Sequence, residues 1–201
     1  ALLALDPASN VDMYNVAVGY AAGAAVTTAT DSTFIGGNAG TTATTASGVT
    51  AVGMSAGTAL TTGGDNTAVG KQALKTATTG TGNTAVGKDA LEALETASYN
   101  TAIGFKTLEA STTGTRNVAL GAYANQEGTT GNDNTYVGYS AGAATTTSSS
   151  NTSLGSYALT AITTGDLNVA VGKDAMKTNS TGDRNVAVGN GALQSLAPAS
   201  K

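Results

Sequence analysis

Cysteine, histidine and tryptophan are absent from this chain, and proline occurs only twice in 201 residues. Without cysteine there can be no disulfide and no thiolate metal site. Without histidine as well, the commonest general base, thiol nucleophile and zinc ligands are all missing, so the chain reads as a non-enzyme with no cofactor and no metal. Aromatic residues make up 4% and charged residues 11%, and the net charge of -4 is scattered over isolated positions. No basic stripe is present to neutralise a phosphate backbone, which argues against nucleic acid as a partner. No apolar run approaches the ~20 residues that cross a bilayer, so no membrane insertion is expected. The opening Ala1-Leu2-Leu3-Ala4-Leu5 has no basic flank and is short for a signal peptide, as in a mature chain or a cut fragment.

What is abundant is glycine, alanine and threonine, arranged with a strict period. Gly19, Gly36, Gly53, Gly70, Gly87, Gly104, Gly121, Gly138, Gly155, Gly172 and Gly189 return every seventeen residues without a slip. Such a repeat is one supersecondary unit stacked in a row. Aligned on that glycine it reads Asn-Thr-Ala-Val-Gly-Lys-x-Ala-Leu-x-x-x-Thr-Thr-Gly-x-x, most cleanly from Asn66 to Gly82 and from Asn83 to Tyr99. The fold class expected is all-β: a parallel β-solenoid, or β-roll, of eleven 17-residue rungs. At ~4.8 Å per rung it makes a rod roughly 50 Å long. Residues 1–14 and 197–201 fall outside the pattern as flanks, leaving 15–196 as the solenoid. Pro7 and Pro198 mark its two ends, since proline lacks the amide proton a further rung needs.

Each column has an expected job. Asn-Thr-Ala-Val suits a strand of about four residues, ended by the bend glycine. The residue before that glycine is Val18, Ile35, Val52, Val69, Val86, Ile103, Leu120, Val137, Leu154, Val171 or Val188, a row with no polar exception, and it is taken as the core seam. Four residues before the glycine stand Asn15, Asn66, Asn83, Asn100, Asn117, Asn134, Asn151, Asn168 and Asn185, with Ser32 and Val49 the exceptions; stacked amides can bond from rung to rung. Thr-Thr-Gly is a second corner whose Gly63, Gly80, Gly114, Gly131, Gly165 or Gly182 can take positive φ. Between the corners, Ala-Leu-x-x-x fits a strand better than the single helical turn that its apolar spacing also allows.

With the Val column inward, the preceding column, Ala17 to Ala187 with Phe34, Tyr136 and Ser153 in it, points out; with the faces exchanged, the aliphatic row is exposed instead. Either way an apolar stripe runs the length of the rod and calls for association with other chains. Burying it against two copies of itself makes a trimeric fibre.

The recurring Asn-Thr-Ala-Val-Gly, followed by x-x-Ala-Leu and Thr-Thr-Gly, resembles the repeat of bacteriophage and cyanophage tail-fibre-like proteins. It is similar, more distantly, to the Ser-Val-Ala-Ile-Gly rungs of YadA-like heads of trimeric autotransporter adhesins. The resemblance covers Asn15 to Leu196. In the adhesin heads it implies a left-handed parallel β-roll, three chains per fibre and a surface used for attachment; the longer period here departs from theirs. The expected function is the shaft or head segment of an extracellular, cell-surface or virion attachment appendage, self-associating as a homotrimer or filament, with a cell-surface receptor or glycan as its further partner.

Other columns carry weaker signals. Asp133, Asp166 and Asp183 in Asn/Asp-rich corners faintly suggest calcium-binding solenoid turns, but a cage needs six or more oxygens and most turns supply one carboxylate or none. Lys71, Lys88, Lys106 and Lys173 beside the bend glycines read as a solvated edge that blocks lateral misassembly. The stack Thr28, Thr45, Thr62, Thr79, Thr96, Thr113, Thr130, Thr147, Thr164 and Thr181 offers an alternative function, an ice-binding Thr ladder, although adjacent threonines point to opposite sides of a strand. Asn151-Thr152-Ser153 and Asn179-Ser180-Thr181 match the N-glycan acceptor pattern, and Ser148, Ser149 and Ser150 could carry O-linked sugars. The two ends, 1–8 and 196–201, could dock head to tail into a filament.

Overall fold

The computed structural model describes residues 13–178 and 180–195. Its eleven strands are β1 Val16–Val18, β2 Thr33–Ile35, β3 Thr50–Val52, β4 Thr67–Val69, β5 Thr84–Val86, β6 Thr101–Ile103, β7 Val118–Leu120, β8 Thr135–Val137, β9 Thr152–Leu154, β10 Val169–Val171 and β11 Val186–Val188. They form a single parallel sheet in sequential order. Each residue pairs with its own repeat equivalent, as Thr67↔Thr84, Ala68↔Ala85 and Val69↔Val86 show. The chain is a parallel β-solenoid, one strand per rung, with no helix among the described residues. Pro7 and Pro198, expected to mark the ends, Asn179 of the second acceptor pattern, and the segments 1–8 and 196–201 expected to dock head to tail lie outside the described residues.

The strands are short because both neighbours turn the chain. At the bend glycines φ runs from 127° to 140°, a region closed to residues with a Cβ. At Gly70, for instance, an added Cβ would lie 2.6 Å from the carbonyl carbon of Gly87 in the next rung. Positive φ recurs at three further positions of every rung: two and four residues after the bend glycine, and five before it. The segment after the bend is therefore neither the strand expected nor a helical turn. It is a pair of tight turns, in which the Ala90 N–H reaches the Gly87 carbonyl at 3.3 Å and the Leu94 N–H reaches that of Leu91 at 3.3 Å. Leu74, Leu91, Leu108, Leu159 and Met176 hold φ near 50° there. Left-handed backbone costs such residues ~1–2 kcal/mol. Burying each side chain returns ~1.5–3 kcal/mol, so packing wins.

Backbone pairing between rungs extends around the perimeter, beyond the three strand residues. In the rung 66–82 the N–H groups of Leu74, Thr76 and Thr78 donate forward to Ala90, Glu92 and Glu95, while those of Gly70, Gln72 and Gly82 donate back to Val52, Met54 and Gly64. Alternate amides thus serve the rung on either side, which is how a thin coil satisfies its backbone.

The interior reverses the expected face assignment. The middle residue of each strand is the inward one: Phe34, Ala51, Ala68, Ala85, Ala102, Ala119, Tyr136, Ser153 and Ala170 are fully buried. The aliphatic column Val18, Ile35, Val52, Val69, Val86, Ile103, Leu120, Val137, Leu154, Val171 and Val188 faces outward, half-buried to exposed, and is not the core seam. Parity gives the reason. Asn and Val sit three positions apart on an extended segment, so they cannot share a face. The Asn column goes in, where its amides have fixed partners, and the alanine two positions on follows it.

The interior of each rung has room for only one or two large side chains. Where the strand centre is Ala85, Leu91 and Leu94 fill the space; where it is Phe34 or Tyr136, the position six residues later is Gly40 or Gly142. A Cβ on either glycine would collide with that aromatic ring. Tyr136 brings hydroxyls in with it: its phenol lies by Thr145 and Ser148, and burial pushes its pKa well above the ordinary tyrosine value.

Candidate interaction surfaces

Five side-chain arrays run along this rod, and each follows from stacking identical positions. The Asn ladder is the most regular. The Asn83 Oδ1 accepts the Asn100 backbone N–H at 2.9 Å and the Asn100 Nδ2 at 3.3 Å. The Asn83 Nδ2 donates to the Asn66 Oδ1 at 3.1 Å and to the Ala97 carbonyl at 2.9 Å. The same pattern links Asn66 through Asn185. Asn15 begins it by accepting the Ser32 N–H at 2.9 Å, and the Ser32 hydroxyl accepts the Val49 N–H at 3.1 Å in the manner of an Asn. In Asn15 and from Asn66 to Asn168 the amide crosses the interior to a carbonyl of the second corner, so the ladder braces strand against corner, and Asn66 to Asn168 are buried.

That brace also corrects the role of the second-corner glycines. Gly63, Gly80, Gly114, Gly131 and Gly165 do not adopt positive φ. They are small because the neighbouring rung's backbone passes close: a Cβ on Gly114 would crowd the Gly131 carbonyl and sit 3.0 Å from the Asn117 Nδ2.

A second ladder, six residues before the bend glycine, was not foreseen. The backbone N–H of Thr30, Thr81 and Asn132 donates to the hydroxyl of Ser47, Ser98 and Ser149 in the next rung, each at 3.0 Å. The N–H of Ser149 and of Asp166 likewise meet the Oδ1 of Asp166 and Asp183, at 2.7 and 2.8 Å. Asp133 instead forms a bidentate pair with Arg116, at 2.6 and 2.8 Å, and that pairing holds its carboxyl below the usual range. The three aspartates weighed for calcium thus have separate partners and do not converge.

The threonine corner holds two adjacent columns with different fates. Thr27, Thr44, Thr61, Thr78, Thr112, Thr129, Thr146 and Thr163 donate their hydroxyls to carbonyls of the next rung at 3.0–3.2 Å. The neighbouring Thr28, Thr45, Thr62, Thr79, Thr96, Thr113, Thr130, Thr147, Thr164 and Thr181 are exposed at the bend.

The outward strand face is flatter. One column is Thr33, Thr50, Thr67, Thr84, Thr101, Thr135 and Thr152, with Val16, Val118, Val169 and Val186 completing it; the other is the aliphatic row. None of the side chains in either column is charged. At the ends Val18 is 58% and Val188 70% exposed.

A fifth array occupies the corner just after the bend glycine. Carboxylates that are single along the sequence meet here: oxygens of Asp89, Glu92 and Glu109 lie within 4.8 Å of one another. Three ammonium groups are interleaved, with Lys75 3.0 Å from Glu92, Lys88 3.3 Å from Asp89, and Lys106 paired with Glu109. Burial pushes the Glu109 pKa up, but the hydrogen bonds from Lys106 and Gln126 outweigh it and the net shift is downward. Matched charges of this kind form an ion-pair network rather than an oxygen cage. Beyond it, Phe105, Tyr123, Tyr139 and Tyr157 stack edge to face along four successive rungs. They alternate between the first and second positions after the glycine, so reading single columns does not find them.

Comparison with family models, with curated proteins and with solved structures finds no match for this chain. Fold and surfaces therefore define the class of the protein, a parallel β-solenoid built from tandem repeats.

Proposed function

We propose that the chain is a structural rod, a shaft or head segment of an extracellular or virion attachment appendage such as a tail fibre or adhesin, and that it assembles as a trimer through its strand faces. The observation that carries this is the uncharged Thr and aliphatic face shared by all eleven strands. With ten rung spacings of ~4.8 Å and a width of ~10 Å, it covers ~500 Å² per chain. That is as large as the biggest patch most monomers leave exposed. Three such stripes around one axis remove ~1,500 Å² from water in total, ~500 Å² per chain shared over three pairwise contacts. The role is mechanical: a rod in which every rung supports its neighbours holds an attachment site at a distance. Sedimentation equilibrium over a wide concentration range tests it. A stable trimer that Val86→Lys converts to monomer supports the reading, and a parent chain monomeric at every concentration overturns it.

A second reading is ice binding, favoured by one observation. The Thr-x-aliphatic pairs, such as Thr67 with Val69 and Thr84 with Val86, lie in strict register on the outward sheet face and form a regular lattice of methyls and hydroxyls. This is a flatter array than the exposed threonines at the bend. A monomer that partitions into growing ice would establish this reading over the trimer.

A further inference from the structure

The corner after the bend glycine carries chemistry that a plain rod does not use. All six lysines of the described residues stand there, Lys71, Lys75, Lys88, Lys106, Lys173 and Lys177. Between the two lysine groups run Phe105, Tyr123, Tyr139 and Tyr157, with successive ring centroids 5.3, 5.7 and 5.4 Å apart and planes 74–89° to one another. The row is bracketed by cations: Lys88 lies 5.4 Å from the Phe105 ring centroid and Lys177 4.9 Å from that of Tyr157.

As a staple the row would gain ~0.5–1.5 kcal/mol per edge-to-face pair. Phenylalanine would supply that equally well, yet three of the four rings carry a hydroxyl, and none of these hydroxyls hydrogen-bonds to a described residue. Tyr139 is 47% exposed and the other three rings are half-buried. The rings are pinned by one another, and the polar groups beside them are fixed too: the Gln126 Nε2 donates to Glu109 at 2.7 Å, and the Lys177 Nζ lies 2.9 Å from Asp174. Pre-ordered apolar ring surface with hydroxyls and amides alongside it suits a ligand with apolar faces and many hydroxyls.

We propose that this row is a platform for a linear polysaccharide lying along the rod axis, its pyranose rings against Phe105, Tyr123, Tyr139 and Tyr157. The site repeats once per rung and so matches a ligand that repeats along its own length. The row is separate from the strand face, so this inference and the trimer can fail independently.

Calorimetric titration of the intact protein with a soluble mixed-linkage β-glucan and with alginate tests it. Binding of the β-glucan shows that ring stacking suffices, and binding of alginate alone shows that the bracketing lysines take part. Either way the double variant Tyr139→Ala, Tyr157→Ala should weaken binding at least tenfold, while Val86→Lys on the strand face leaves it unchanged. The triple variant Tyr123→Phe, Tyr139→Phe, Tyr157→Phe keeps the packing and should weaken binding severalfold through the lost hydroxyls. Failure to bind either polysaccharide, or binding that neither set of substitutions weakens, would overturn the proposal.

Discussion

Phe34→Ala paired with Gly40→Leu probes the packing logic of the interior most sharply. Phe34 is fully buried, and no large neighbour can move in behind it because position 40 is glycine. Emptying that space by Phe34→Ala should cost ~3–5 kcal/mol. Gly40→Leu alone should be at least as damaging, since even a Cβ at residue 40 collides with the Phe34 ring. Together the two changes give the rung Ala at 34, Leu at 40 and Ala43, the set already present as Ala68, Leu74 and Ala77. The backbone accommodates it too, because Gly40 has φ 55° and Leu74 φ 49°. The double variant should therefore recover most of both losses, a coupling of several kcal/mol against the 0.5–3 kcal/mol usual for contacting pairs. Urea unfolding of parent, single and double variants, followed by circular dichroism, measures the cycle. Additive losses would refute the idea that the interior volume of a rung is shared among these three positions.

Other tests address the ladders, bends and charges. Asn100→Ala strands the buried Asn117 N–H and the Gly114 carbonyl and should cost ~2–5 kcal/mol in the same unfolding assay. Asn100→Asp keeps the shape but aims a carboxylate at the Gly114 carbonyl, so its folded-state pKa rises; the loss should be small near pH 4 and grow as pH rises above the unfolded value, measured as unfolding at both pH values. Gly104→Ala, with φ 140° and a Cβ 2.7 Å from the Gly121 carbonyl carbon, should cost more than ~2 kcal/mol, whereas Gly37→Ala, with open space around it, should be neutral or gain ~0.4–1 kcal/mol. Ala85→Asp buries a charge and should prevent folding, while Val86→Asp on the outer face should leave a folded chain that no longer associates, read by circular dichroism and sedimentation. Glu109 has a lowered pKa, so its contribution is present above the unfolded value and lost as pH falls through the folded one; Lys106→Met should shrink that acid-side loss in a pH series of melts.

The repeat was legible in the sequence because it is written in glycine and asparagine, whose roles are local. Gly87 and its equivalents must bend, and Asn83 and its equivalents must ladder, whatever surrounds them. The inward face was legible in principle and was misread: the hydrophobic weight of Val86 outvoted the parity that ties the buried Asn83 to Ala85. The segment Ala90–Leu94 could not be assigned from pattern, since its left-handed leucines contradict local preference and are held by burial alone. The same limit hid the aromatic row and the Asp89, Glu92 and Glu109 cluster, whose members come together from different columns only when the rungs stack.

Solution X-ray scattering on the intact chain, yielding mass and cross-section together, bears most directly on a rod that assembles through its strand face. A particle of about 58 kDa, three times the 19.4 kDa chain, and still only ~50 Å long is the expected result, because three rods then lie side by side. A 19.4 kDa particle with the cross-section of one solenoid, unchanged by concentration and by Val86→Lys, would contradict it.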